Sequence, residues 1–218
     1  MSFCLFLTAR GAVPGADRLD PVIAAVPDLA QTLVHRPANA HDPYLHDGAP
    51  PDLALQLYFP AIEVLASACT GALQALVPLL SAARVTQQAM LARPFPVPDP
   101  APLPAKHCTY LVAYDGPAED RDAWLGHYAA HHPPIMARFP GIRAIEVCTP
   151  LDTISALRFP RADCMQRNKV VFDSQAALTA ALNSPVRHEM RADFGRLPPF
   201  SGAVTHFPML TRILPRGK

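Results

Sequence analysis

The chain has 218 residues, half of them hydrophobic and 17% charged, with a formal net charge of +1. That balance excludes a disordered chain, and the absence of a basic stripe argues against nucleic acid as a partner. No apolar run reaches the ~18 residues that a membrane span needs, so no membrane partner is expected.

The N-terminal Met1-Ser-Phe-Cys-Leu-Phe-Leu7 lacks a basic flank and reads as a first strand, Cys4 to Ala9, rather than a secretion signal. A Gly11–Gly15 loop leads into a short helix over Leu19–Val26, with Pro21 near its first turn where helix starts tolerate proline. Pro27-Asp28 turns the chain into a strand, Leu29–His35, and a polar loop runs from Arg36 to Asp52. Leu53–Phe59 is the next strand, Ile62–Leu80 a helical stretch broken at Thr70-Gly71, and Arg84–Ala92 a fourth strand. The order is β-α-β-β-α-β. From Phe95 to Pro104 proline then alternates with other residues, which predicts a stiff, extended connector.

After the connector the same order begins again. Cys108–Tyr114 is a strand and a histidine-bearing helix follows it. Phe139–Cys148 corresponds to Val26–His35, Lys169–Leu182 to Leu55–Ala68, and Phe200–Leu210 to Ala83–Leu91. A period of about half the chain is a duplication, and each copy is a split-βαβ, ferredoxin-like unit. The expected organisation is α+β: residues 1–92 form a first half with a short first helix, 93–106 a Pro-rich linker and 107–218 a second half. Each half needs cover for the face of its antiparallel sheet that has no helices, and the other half supplies it, giving one pseudo-twofold barrel.

Three histidines in six residues make the densest cluster of titratable groups. His127 and His131 are four apart and share a helix face; His132 follows, and Pro133-Pro134 is expected to end or kink the helix there. Two histidines lack the third ligand a metal site needs, and no HExxH sequence is present, so no metal is expected. For His131 and His132 two readings compete: a general base, for which a neutral imidazole suits proton removal near pH 7, or a cap for carbonyls freed by the prolines. Successive helical residues diverge by about 100°, so one ring of the pair can face the sheet, and His132 is the preferred one.

Tyr110 and Tyr114 alternate on one strand face, where they hold a developing oxyanion or belong to the core. Trp124 and Tyr128, four apart, and His206 on the last strand are candidates for substrate binding, with core packing as the alternative for each. Arg158 and Arg161, in the loop from Thr149 to Asn168, have the planar fork that binds a carboxylate bidentately. The loop from His35 to Asp52 carries His35, His41, His46, Asp42, Tyr44 and Asp47, and reads as either a site-building loop or a solvated one.

The five cysteines form no CxxC pair and fall mostly in apolar runs, which fits buried thiols in a reducing, cytoplasmic setting. Cys164 has no activating base near it in sequence. No GxGxxG, P-loop, GxSxG or CxxCH sequence is present, so no cofactor is expected; a noncovalent haem on one histidine stays open.

The segments HHPPIMARFPGI and NKVVFDSQAALTAALNSP, followed by ADF, resemble the EthD family of dimeric α/β-barrel proteins. The matching positions are His131, His132, Pro134, Pro140, Gly141, Phe172, Asp173, Ser174 and Asp193, within residues 106–212. The first half resembles the family through its fold pattern alone and has no His-His-Pro counterpart. The resemblance implies a dimeric α/β-barrel, a superfamily that includes cofactor-free oxygenases of polyketide anthrones, polyketide cyclases and dehydratases, muconolactone isomerases and haem enzymes. Fold does not choose among these. The expected function is a cofactor-independent lyase or isomerase acting on a small apolar, aromatic or quinoid substrate. His132 or His131 would take a proton, with Tyr110 or Tyr114 on the oxyanion. Oxygenation of such an anion is the close variant, and a non-catalytic small-molecule carrier the rival. Pairing with a second copy of the chain stays open.

Overall fold

The computed structural model describes residues 2–45 and 47–215. His46 of the polar loop and the chain termini at residues 1 and 218 lie outside them. The first half runs β1 (Ser2–Gly11), α1 (Ala16–Ala24), β2 (Gln31–Pro37), β3 (Leu53–Phe59), α2 (Ile62–Thr70), a 3-10 turn at Ala72–Ala75 leading into α3 (Leu76–Leu79), and β4 (Ala83–Phe95). The second runs β5 (Lys106–Tyr114), α4 (Arg121–Met136), β6 (Ile142–Pro150), β7 (Gln166–Phe172), α5 (Gln175–Leu182), α6 (Pro185–Phe194) and β8 (Val204–Leu214).

All strands pair antiparallel into one closed barrel, ordered β1-β3-β2-β8-β5-β7-β6-β4. Within each half the order is that of a ferredoxin-like sheet, and the halves meet at two equivalent seams, β2 with β8 and β4 with β6. The duplicated halves therefore close on each other as one barrel.

Strand alternation sorts the side chains into three cores. Leu5, Leu7 and Leu55 face the first-half helices, and Tyr110, Val112, Tyr114 and Val170 face the second-half helices. Cys4, Phe6, Tyr58, Met90 and Cys148 point into the barrel that both halves share. A buried polar group crosses that interior: Lys169 lies 3.2 Å from Glu146, and Tyr58 donates to the same carboxylate at 2.7 Å. Its charges are thus paired inside a space where an isolated one would be costly.

Three sequence expectations change. β4 continues through Arg93-Pro94-Phe95, pairing with β6 beyond the point where β1 ends, so Pro94 sits where the strand has a neighbour on one side only. α6 is a separate helix that the sequence reading leaves unassigned. α4 does not stop at His132 but continues through Pro133-Pro134 to Met136. The prolines remove amide donors to the carbonyls of Ala129 and Ala130, and both residues are exposed, so water can take those carbonyls. Among the described residues no single helix is long and apolar enough to cross a membrane. The bent pair α2 and Ala72–Leu79 passes by composition, and it buries Leu65, Cys69, Leu73 and Leu76 in the first-half core.

Candidate active site

α4 starts at Asp120, whose carboxylate accepts from the Ala123 amide at 2.9 Å, and buries Trp124, Tyr128, His132 and Met136. These four residues are spaced by four and form one stripe toward the sheet. The stripe aims His132 inward and leaves His131 exposed, its ring tilted against that of His127 with centroids 4.5 Å apart. His132 is 5% exposed, and its Nδ1 lies 2.7 Å from Asp193 Oδ2 on α6. A carboxylate only accepts, so the neutral ring carries its proton on Nδ1 and its lone pair on Nε2. Nε2 has no hydrogen-bond partner among the described residues. Burial pushes the His132 pKa below the ordinary imidazole value, and Asp193 opposes that shift only in part. His127 Nε2 approaches the other Asp193 oxygen at 3.4 Å without hydrogen-bond geometry.

His132 opens on a cavity of about 320 Å³ between the second-half sheet and α4, α5 and α6. Val112, Met136, Phe139, Val170, Leu182 and Met190 supply apolar wall, and Tyr110, Tyr114, Asn168 and His206 supply polar groups from the strands. Volume and lining match what a small, largely apolar ligand needs.

The roof comes from the first half. The β2–β3 loop reaches across to α6, where Asp42 accepts from Arg187 Nε and Nη2 at 3.1 and 2.9 Å and from the Tyr110 hydroxyl at 2.7 Å. Tyr44 and Leu45 of the same loop line the cavity, with Tyr44 under the Arg191 guanidinium at 4.5 Å and its hydroxyl 3.1 Å from His188 Nδ1. Asp47 accepts from the His206 backbone amide at 2.7 Å and faces its Nδ1 at 2.8 Å. The hydrogen bond from His206 holds the Asp47 pKa below the usual carboxylate range.

The structure therefore brings His132, Tyr110, Tyr114 and His206 to one cavity. Tyr110 commits its single hydroxyl proton to Asp42, which leaves Tyr114 as the tyrosine able to donate to an oxyanion. Trp124 and Tyr128 are buried behind the wall, their rings stacked 5.2 Å apart, and Tyr128 backs His132 at 4.7 Å. They support the site without lining the cavity. Arg158 and Arg161 are exposed in a loop that packs against the first half, where Arg161 donates to the Thr153 carbonyl, so neither reaches the cavity.

Asn168 and Arg187 are outside the residues that the sequence singles out. Asn168 is 3% exposed, lines the cavity, and its Oδ1 lacks a partner among the described residues. It shares a strand face with Val170 and Phe172, so a polar residue in an apolar row was the available signal. The signal for Arg187 is that of its helix, α6. Among the described residues no three His, Cys, Asp or Glu side chains come together as a metal site.

Several solved structures share this fold. An anthrone oxidase-like protein superposes with a TM-score of 0.69 at 11% identity, covering 100% of this chain and 95% of its own. A protein named as a candidate monooxygenase of Fusobacterium nucleatum gives 0.57 at 8% identity, covering 99% and 94%. Another so named, from Lactobacillus acidophilus, gives 0.54 at 12%, covering 100% and 98%. At such identities the likeness establishes fold alone: this is a dimeric α/β-barrel with both halves in one chain. No family model and no curated protein matches the sequence, so the EthD resemblance rests on the residues that carry it.

Proposed function

We propose that the chain is an EthD-like, cofactor-independent enzyme acting on a small aromatic or quinoid compound, with His132 as general base. One observation carries the reading: a buried, neutral imidazole, oriented by Asp193, presents an unpartnered Nε2 to an apolar cavity. Asp193 fixes the tautomer and stabilises the imidazolium formed when the ring takes a proton, the role a carboxylate plays behind a catalytic histidine elsewhere. The depressed pKa keeps the ring unprotonated near pH 7, ready to accept a carbon-bound or phenolic proton. The Tyr114 hydroxyl, and the N–H of Asn168 Nδ2 not directed at Met136 Sδ, would donate to the oxygen on which the charge develops, in a site where low polarity strengthens such contacts. Polar groups converging on one wall favour catalysis over simple carriage, which needs few of them.

The same base would also form the electron-rich anion from which a cofactor-free oxygenation starts. The names of the structural neighbours favour keeping that second reading.

Exchange of the acidic benzylic protons of β-tetralone for deuterium, followed by NMR, tests the base independently of the native substrate. The wild-type protein should exceed free imidazole at equal concentration, and His132→Ala should lower the rate by a factor of about 10² to 10⁴. A folded His132→Ala variant with undiminished exchange, or a wild type no faster than imidazole, overturns the proposal.

A further inference from the structure

A second imidazole faces the same cavity and is held in the same manner. His206 stands on β8 with Nδ1 2.8 Å from Asp47, its ring 5.6 Å from that of Tyr110, and Nε2 without a protein partner among the described residues. The two histidine–aspartate pairs differ in one respect. The His132 and Asp193 side chains are 6% and 4% exposed, whereas those of His206 and Asp47 are 16% and 17% exposed. One pair is sealed and the other is open enough to exchange protons with water.

We infer that His206, held by Asp47, is the general acid that works opposite the base His132. The site is then built for eliminations and cyclising condensations, in which a proton leaves one carbon and another reaches a departing oxygen. The inference rests on the reading of His132 as base. Asp47 is placed to stabilise a protonated His206 ring, which then presents Nε2–H to the cavity. Of the two cations lining the cavity, Arg187 is paired with Asp42 and Arg191 lies over the Tyr44 ring.

For a β-hydroxy ketone the step balances without any other reactant. His132 Nε2 takes the proton from the carbon between carbonyl and carbinol, and the C–H pair becomes the new C=C bond. The C–O bond of the hydroxyl breaks with its pair, His206 Nε2–H protonates that oxygen, and water leaves. The carbon that loses its proton is oxidised by as much as the carbinol carbon is reduced, so the conversion to enone and water needs no oxidant. The two rings end with protonation states exchanged. His206 regains its proton from solvent, and His132 returns its own when the cavity empties.

Two probes separate this inference from the one beneath it. Deuterium exchange of β-tetralone needs the base but breaks no C–O bond. Dehydration of the aldol adduct of benzaldehyde and acetone, read as the near-ultraviolet absorbance of benzylideneacetone, needs both groups. His206→Gln and Asp47→Asn should each lower dehydration by about 10²-fold, while exchange falls by less than about tenfold. His132→Ala should lower both by about 10² to 10⁴-fold. If His132→Ala spares exchange, the base reading fails. If His132→Ala lowers exchange while folded His206→Gln dehydrates the adduct as fast as wild type, the base stands and the acid assignment is overturned.

Discussion

The two halves share strand order and the placement of their overhanging loops, yet they treat the space between sheet and helices in opposite ways. In the first half that space is solid. Leu5, Leu7, Leu55 and Leu57 face it from the strands, Leu73 and Leu76 from the helical segment, and the loop from the second half inserts Leu157. Gln87 fixes that loop by donating to the carbonyls of Leu157 and Phe159 at 2.9 and 2.7 Å. In the second half the equivalent loop brings Asp42, Tyr44 and Asp47 beside its Leu45, and α6 brings Arg187, Met190 and Asp193 where the first half has Ala72–Leu79. The difference teaches that the fold supplies two candidate sites, and that two short segments decide which is filled and which is kept open.

That contrast breaks most readily at its polar seam. Arg187→Ala leaves Asp42 buried with its cation removed, and should cost about 3 to 5 kcal/mol in chemical denaturation while loosening the roof over the cavity. An effect below about 1 kcal/mol would mean that the roof stands without the pair. Next in size, Leu157→Ala should empty part of the first-half core and cost about 3 kcal/mol, yet leave β-tetralone exchange at the wild-type rate. Lost exchange in a folded Leu157→Ala protein would make the halves one functional unit.

The barrel interior belongs to neither half, and its buried His35 makes the stability of the barrel depend on pH. Burial, helped by the Lys169 charge, depresses the His35 pKa from 6.5 to about 3. Because the folded value is the lower one, the unfolded chain binds the proton first. The stabilisation is present above pH 6.5 and is lost as pH falls from there toward 3. Between pH 6.5 and pH 5 His35 alone should account for about 2 kcal/mol, so His35→Gln should show a smaller drop over that range. An identical drop in the variant would refute the assignment. Smallest of all, Arg158→Ala and Arg161→Ala should change stability by no more than about 0.5 kcal/mol and exchange not at all, since both residues are exposed on the first-half side and away from the cavity.

Much of this was legible in the sequence. The repeat gave the element order of both halves and hence the barrel, because each ferredoxin-like sheet has one face that must be covered. The spacing of Trp124, Tyr128, His132 and Met136 carries the buried stripe of α4, whereas the sequence preference for His132 over His131 rests on the divergence of neighbouring rings and on Pro133. Pro133-Pro134 obscured the stripe by suggesting an early stop, although solvent on that side of the helix tolerates the lost donors. α6 carried its own signals, Ser184-Pro185 at the start and Gly195 at the end. Its polar composition hides them, and with the helix go Arg187 and the placement of Asp193. The loop partners Asp42 and Asp47 were visible as a polar cluster, but which half they roof depends on a crossing between halves that no local pattern encodes.

The central claim is that His132 is a neutral imidazole with its proton on Nδ1 and its lone pair turned to the cavity. A ¹⁵N NMR titration of histidine-labelled protein measures this directly, with the His132 signal assigned by its absence from His132→Gln. The account predicts a protonated Nδ1 and a bare Nε2 at pH 7, with a titration midpoint below the ordinary imidazole value of about 6.5. A midpoint at or above that value, or a proton resident on Nε2 at neutral pH, would contradict it.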